Sequence, residues 1–289
     1  MISLRKIGKP IISLVWRLKA QKKISDLSKN SEGYTKEIGN ALTEVLQNIV
    51  SEEEKQWIGK IESLRKELES SNEKIEVIDY GAIEPDSNIT NQELEIGKTV
   101  NITVGAKCKS GSELFFWVFI LFKLIRKFQP KSCLELGSCM GLSASFQAAA
   151  LKLNGIGRMV TLEGAASLAS IAKKNFQLLN LGNIDIIEGR FQDTLPTVLK
   201  QYGPFDYVFI DGHLDGPATI NNFNQIIPYV SEKALFIVDN ISWSESMKKG
   251  WKYIESNDRV RITFHLRQMG ICIIDNQIVK KHVYKIPLL

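Results

Sequence analysis

From residue 113 onward the chain repeats one rhythm, a short apolar run followed by a longer stretch at helical spacing. A helix is expected over about 113–128, closed by Pro130. Apolar runs then fall at 132–137, 159–163, 184–188, 206–211 and 234–239. Helical stretches separate them at about 142–153, 166–180, 192–201 and 217–230. Strands this apolar, joined by crossovers this long, belong in a parallel sheet covered by helices on both faces. Two further runs, near 260–266 and 270–275, lie too close together for a crossover and are expected as an antiparallel edge hairpin. The expectation is an α/β fold with a seven-stranded, mostly parallel sheet.

The 289 residues leave room for an N-terminal element ahead of this domain. Basic and apolar positions alternate over residues 1–30, including Arg5, Lys6, Lys9, Arg17, Lys19, Lys22 and Lys23. They read as an amphipathic helix that docks on its own protein, with a membrane surface or a homodimer contact as the alternatives. Residues 35–75 read as two charged helices, Lys74–Tyr80 as a short strand and 81–112 as a long loop. The division expected is 1–100 for a helical cap and linker and 101–289 for the main domain. No basic stripe interleaved with aromatics appears, which argues against a nucleic-acid partner despite the net charge of +5. The run Leu114–Phe122 is too short for a transmembrane segment and is followed by Lys123 and Arg126, so it reads as a buried helix. The stretch Ile11–Trp16 is likewise too short for a secretion signal. Cys108, Cys133, Cys139 and Cys272 form no C-x-x-C pair, and reduced thiols in a cytoplasmic setting account for them.

The chemistry-bearing residues cluster at expected strand ends. The first strand runs into Leu134-Glu135-Leu136-Gly137-Ser138-Cys139-Met140-Gly141-Leu142-Ser143 and then a helix. Gly137 and Gly141 allow a tight turn and close approach to a ligand, and the helix start offers free N–H groups. Dinucleotide sites ask for G-x-G-x-x-G. Here Cys139 stands at the second glycine, and Glu135 would repel a pyrophosphate while suiting a cationic amino group. The second strand ends in Thr161-Leu162-Glu163-Gly164, an acid placed where ribose hydroxyls need an acceptor.

These segments resemble the class I S-adenosylmethionine-dependent methyltransferases, in their small-molecule O-methyltransferase-like branch. The likeness spans about 105–275 through L-E-L-G-x-x-x-G-x-S, the L-E-G strand tip, E-G-R-F-Q-D-T-L-P, F-D-Y-V-F-I-D-G-H and V-D-N-I-S-W-S. It implies a Rossmann-like fold, S-adenosylmethionine (SAM) as cofactor, a small-molecule acceptor and methylation at oxygen. It further implies that Glu135, Gly137, Ser138, Gly141 and Ser143 surround the methionine part. Glu163 and Gly164 would lie at the ribose, Gly189, Phe191 and Gln192 at the adenine, and Asp211 toward the substrate mouth. A non-catalytic scaffold of the same fold, an N-methyltransferase and a dehydrogenase are the rival readings. The glycine pattern with Glu135 weighs against the dehydrogenase.

The resemblance also leaves two routes for removing the acceptor's proton. Asp211, Asp239 and Asn240 match a divalent-cation triad of catechol-type enzymes, hard oxygen donors suited to Mg²⁺. The lysine that follows the first Asp in those enzymes is absent, and His213 stands in that neighbourhood as a candidate base beside Asp211. The missing lysine tilts the sequence reading toward the histidine. Trp243, Met247 and Trp251 follow at spacings of four on an expected helix; Trp243, with Asp239, is the candidate substrate contact.

Overall fold

The computed structural model describes residues 19–80, 96–286 and 288. The basic residues before position 18 and the stretch Ile11–Trp16 lie outside them. Helix α1 is seen over 19–30, followed by α2 (Gly33–Leu46) and α3 (Glu52–Ser70). Strand β1 (Lys74–Asp79) pairs antiparallel with β2 (Lys98–Thr103), and α4 (Val104–Gly111) and α5 (Phe115–Phe128) lead into the large sheet.

The sheet strands are β3 (Ser132–Leu136), β4 (Arg158–Glu163), β5 (Ile184–Glu188), β6 (Phe205–Ile210), β7 (Val230–Val238), β8 (Val260–His265), β9 (Gly270–Asp275) and β10 (His282–Lys285). The helices between them are α6 (Leu142–Asn154), α7 (Ala166–Leu178), α8 (Phe191–Tyr202), α9 (Gly216–Ile226) and α10 (Glu245–Ser256). The spatial order is β10-β8-β9-β7-β6-β3-β4-β5, with β9 antiparallel to both β7 and β8. After β3 the chain builds outward through β4 and β5, then returns to place β6 on the other side. Beside β3 the winding therefore reverses, and that is where an open α/β sheet forms a crevice at its strand tips.

The sheet has eight strands where seven were expected. The eighth, His-Val-Tyr-Lys, pairs parallel to β8 with mostly exposed side chains, so it carries no apolar signal. It is held by its backbone ladder and by Tyr284 stacked on Phe264, ring centroids 5.0 Å apart. The loop expected over 81–112 is also corrected, because its later part is β2 and α4. Thr103 caps α4 by accepting from the Ala106 N–H, and Gly105 is needed because a Cβ there would lie 2.6 Å from the Glu69 carbonyl oxygen.

The N-terminal helices share the main core. Ile24, Ile38, Leu42, Ile61 and Leu64 are buried in one cluster with Trp117, Phe122 and Phe146. Helix α2 packs along α5, and α3 lies against α4 and α6. The expected division at residue 100 falls inside β2. Among the described residues no helix is long and apolar enough to cross a membrane. The apolar helix α5 is buried, and its Lys123, only 1% exposed, is met by Glu44 and Glu54 from the N-terminal helices.

Candidate active site

The turn after β3 sets the geometry. Gly137 has φ 97°, and a Cβ on it would stand 2.6 Å from the Asp211 carbonyl oxygen. The Asp211 N–H donates to the Leu136 carbonyl at 2.9 Å, so the tips of β3 and β6 are locked side by side. Gly141, at φ 79°, opens α6 with its Cα against the Phe176 ring. Gly137→Ala should therefore cost about 1–3 kcal/mol of backbone strain and push the β6 tip out of place. Chemical denaturation measures the first effect; a variant as stable as the parent would show that the turn adapts.

Beneath this turn lies a closed polar cluster. Glu135 is fully buried and accepts from Thr161 (2.5 Å), Ser143 (2.9 Å) and Gln147 (2.7 Å). Burial pushes its carboxyl up to about 7, although the three donors pull it down. Ser138 is turned inward as well, with its hydroxyl 2.6 Å from that of Thr161. Glu135, Ser138 and Ser143 thus tie β3, β4 and the first turn of α6 together. None of their side chains lines the cavity above. Glycines 141 and 189 are also absent from its wall.

That cavity, about 500 Å³, opens over the tips of β3, β4 and β6. Gly137, Glu163, Gly164, Phe191, Gln192, Asp211, His213, Asn240 and Trp243 all face it, so nine of the expected positions converge. Glu163 accepts from the Cys139 N–H (2.7 Å) and the Ala165 N–H (2.9 Å), one bond to each carboxylate oxygen. Each oxygen keeps capacity to accept a further hydrogen bond, and the side chain lines the cavity. Burial raises this carboxyl, offset by the two N–H donors and by Lys107. Phe191 meets His213 edge-on with centroids 5.1 Å apart, and Asn222 Nδ2 lies 3.4 Å from His213 Nδ1. Burial lowers the His213 pKa, against the raising effect of Asp215 and Asp79, and so disfavours the charged imidazolium. Trp243 precedes α10 rather than riding on it, which leaves it 49% exposed at the cavity; Met247 and Trp251 are core.

Behind Asp211 the tip of β7 presents Asp239, whose Oδ2 accepts from Asn240 (2.6 Å) and Gln268 (3.2 Å). Asp239 is buried and does not line the cavity. Burial pushes it up to about 6 and raises Asp211 well above the ordinary carboxylate range.

Residues 134–241 match the family model described as a methyltransferase domain. Over 115 residues the chain is 35% identical to the catechol O-methyltransferase of Niastella koreensis, which covers 39% of this chain and 50% of that protein. The chain thus spans half the length of that relative. Among solved structures, the SAH-bound methyltransferase of Podospora anserina superposes with a TM-score of 0.51 at 17% identity, over 58% of this chain and 81% of that one. An O-methyltransferase of Streptomyces achromogenes, in complex with SAM, gives 0.50 at 21% identity over 57% and 82%. At these identities the two structures share the fold.

The methyltransferase domain supplies only part of its cavity. Ile78, Tyr80, Val100 and Ile102 from the β1–β2 hairpin form one wall, and Lys107 and Glu113 from the α4 region another. Sequence reasoning missed all six. Among the described residues this hairpin, and not α1, α2 or α3, walls the mouth. The only hints in the sequence were Tyr80 at the end of a strand and Glu113 against an apolar helix.

Proposed function

We propose that this methyltransferase domain transfers the methyl group of SAM to an oxygen of a small-molecule acceptor. The observation that carries the reading is Glu163, fixed by two backbone N–H donors at the tip of β4, still able to accept, and lining the cavity with Gly137. A nucleoside ribose offers two hydroxyl donors of matching geometry. Gly137 and Asp211, whose strand tips pack directly on each other, line the part of the cavity that suits the methionine moiety, and Phe191 and Gln192 on the same wall suit the adenine. The names of the relatives supply the preference for oxygen.

The sulfonium donor supplies an already activated methyl group. The protein's work is to hold the acceptor in line with that methyl and to keep water away. Trp243 and the hairpin residues Tyr80 and Ile78 form the apolar walls suited to the acceptor. His213, neutral and on the same wall as Asp211, takes the acceptor's proton. The hard oxygen donors of Asp211 and Asp239 fit a divalent cation, which would hold the acceptor oxygen and lower its pKa.

Calorimetry with S-adenosylhomocysteine tests the donor site. Glu163→Ala should weaken binding by about 1–3 kcal/mol, since ribose donors would be buried unpaired. Unchanged affinity would remove Glu163 from the site. Tighter binding of NAD than of S-adenosylhomocysteine to the parent protein would overturn the donor.

A further inference from the structure

We propose that Glu113 is a third carboxylate ligand, with Asp211 and Asp239, of a divalent cation held beside the methyl-transfer cavity. The proposal deepens the reading above by assigning the cation a residue from outside residues 134–241. Glu113 sits between α4 and α5, far in sequence from the strand tips. Even so, one carboxylate oxygen from each of the three residues lies within 4.8 Å of the others. The resemblance supplied Asp211, Asp239 and Asn240. In this structure the Asn240 amide is turned to donate to Asp239 Oδ2, which orients that carboxylate.

Two observations point to an occupant. Glu113 Oε2 and Asp239 Oδ1 are both buried, and among the described residues neither has a hydrogen-bond partner, although Asp239 is almost wholly inaccessible. Buried polar atoms are rarely left so. Moreover, the side-chain donors that reach the pair are neutral amides. Gln268 Nε2 lies 3.4 Å from Glu113 Oε1 and 3.2 Å from Asp239 Oδ2, and Asn240 Nδ2 lies 2.6 Å from the latter. Three acids crowded this closely need positive charge; the amides bring none, and the charge of Arg65 acts on Glu113 without a hydrogen bond to it. A small hard cation satisfies both open oxygens and the charge together, and oxygen-only donors select Mg²⁺, Mn²⁺ or Ca²⁺ over softer metals. The competing occupant is a proton shared between Glu113 and Asp239.

Titration of the full chain with Mn²⁺, followed by the electron paramagnetic resonance of the free ion, separates the two. One Mn²⁺ per chain is expected, bound at least about tenfold more weakly by Glu113→Gln and Glu113→Ala. Cooperative urea unfolding close to that of the parent should be kept in both variants, which shows that the chain is still folded. Equal Mn²⁺ affinity in the variants, or no binding by the parent chain, overturns the proposal and leaves the proton. Anomalous scattering from Mn²⁺-soaked crystals of the parent chain needs no variant. An ion must lie about 2.0–2.6 Å from Glu113 Oε2, and an ion held without Glu113 overturns the assignment. Mn²⁺ is measured with neither donor nor acceptor present. Loss of the methyl-transfer reading would show instead as failure to bind S-adenosylhomocysteine, so either result can fail alone.

Discussion

His213→Ala should lower kcat by about 10²–10⁴-fold while leaving S-adenosylhomocysteine binding largely intact. The imidazole is on the cavity wall two residues past Asp211, steadied by the edge of Phe191 and by Asn222. Nδ1 faces the Asn222 amide, and with that nitrogen accepting, Nε2 carries the proton in the neutral ring. A base there must expose an accepting nitrogen to the acceptor, so substrate entry has to draw the ring away from Asn222. Asn222→Ala should for this reason affect the rate far less than loss of the ring itself. A labelled-methyl transfer assay gives the comparison once an acceptor is in hand. A His213→Ala enzyme with unchanged kcat would pass the proton to the carboxylates or to solvent.

The strands β3 to β9 were legible because all but the edge strand β5 are largely buried in the sheet and therefore mostly apolar, and β5 keeps three isoleucines. Their crossovers had the length that parallel pairing demands. Strand β10 and strand β2 were not legible, since both are short and mostly exposed and are defined by backbone pairing to distant partners. The cavity divides along the same line. Gly137, Glu163, Asp211 and His213 sit at strand tips, where local sequence order dictates position. Glu113, Lys107 and Tyr80 reach the cavity only through the packing of α4, α5 and the hairpin, which no spacing in the sequence reports. Glu135 shows what sequence order leaves out. It lies next to the glycine turn in sequence, but a strand alternates its faces, and this residue turns inward to Thr161, Ser143 and Gln147.

The largest stability effect is expected at the junction between the N-terminal helices and the methyltransferase domain. Glu54 closes the capping box of α3 with Ser51, and the same carboxylate accepts from Lys123 at 2.6 Å and from Arg126 at 3.1 Å. Lys123 is also paired with Glu44 at 2.9 Å, and Glu44 pairs in turn with Lys127. Glu54→Ala removes a cap and leaves a buried ammonium with one partner in place of two, and should cost about 3 kcal/mol. Lys123→Met in the same chain should recover most of that loss, because an apolar side chain of similar length needs no partner in the Ile61–Phe122 core. The effect has a defined pH dependence. Burial alone would raise the Glu54 carboxyl, but the hydrogen bond and charge of Lys123, the Ser51 N–H and Arg126 outweigh it and hold the carboxyl below 4.5. A group depressed on folding stabilises fully above its unfolded value and loses that contribution as pH falls through its folded value. Urea unfolding should therefore separate parent and Glu54→Ala widely at pH 7 and bring them together as pH falls below 4.5. A gap that stays constant down to full protonation would assign the loss to packing and the cap, with the ion pairs contributing nothing.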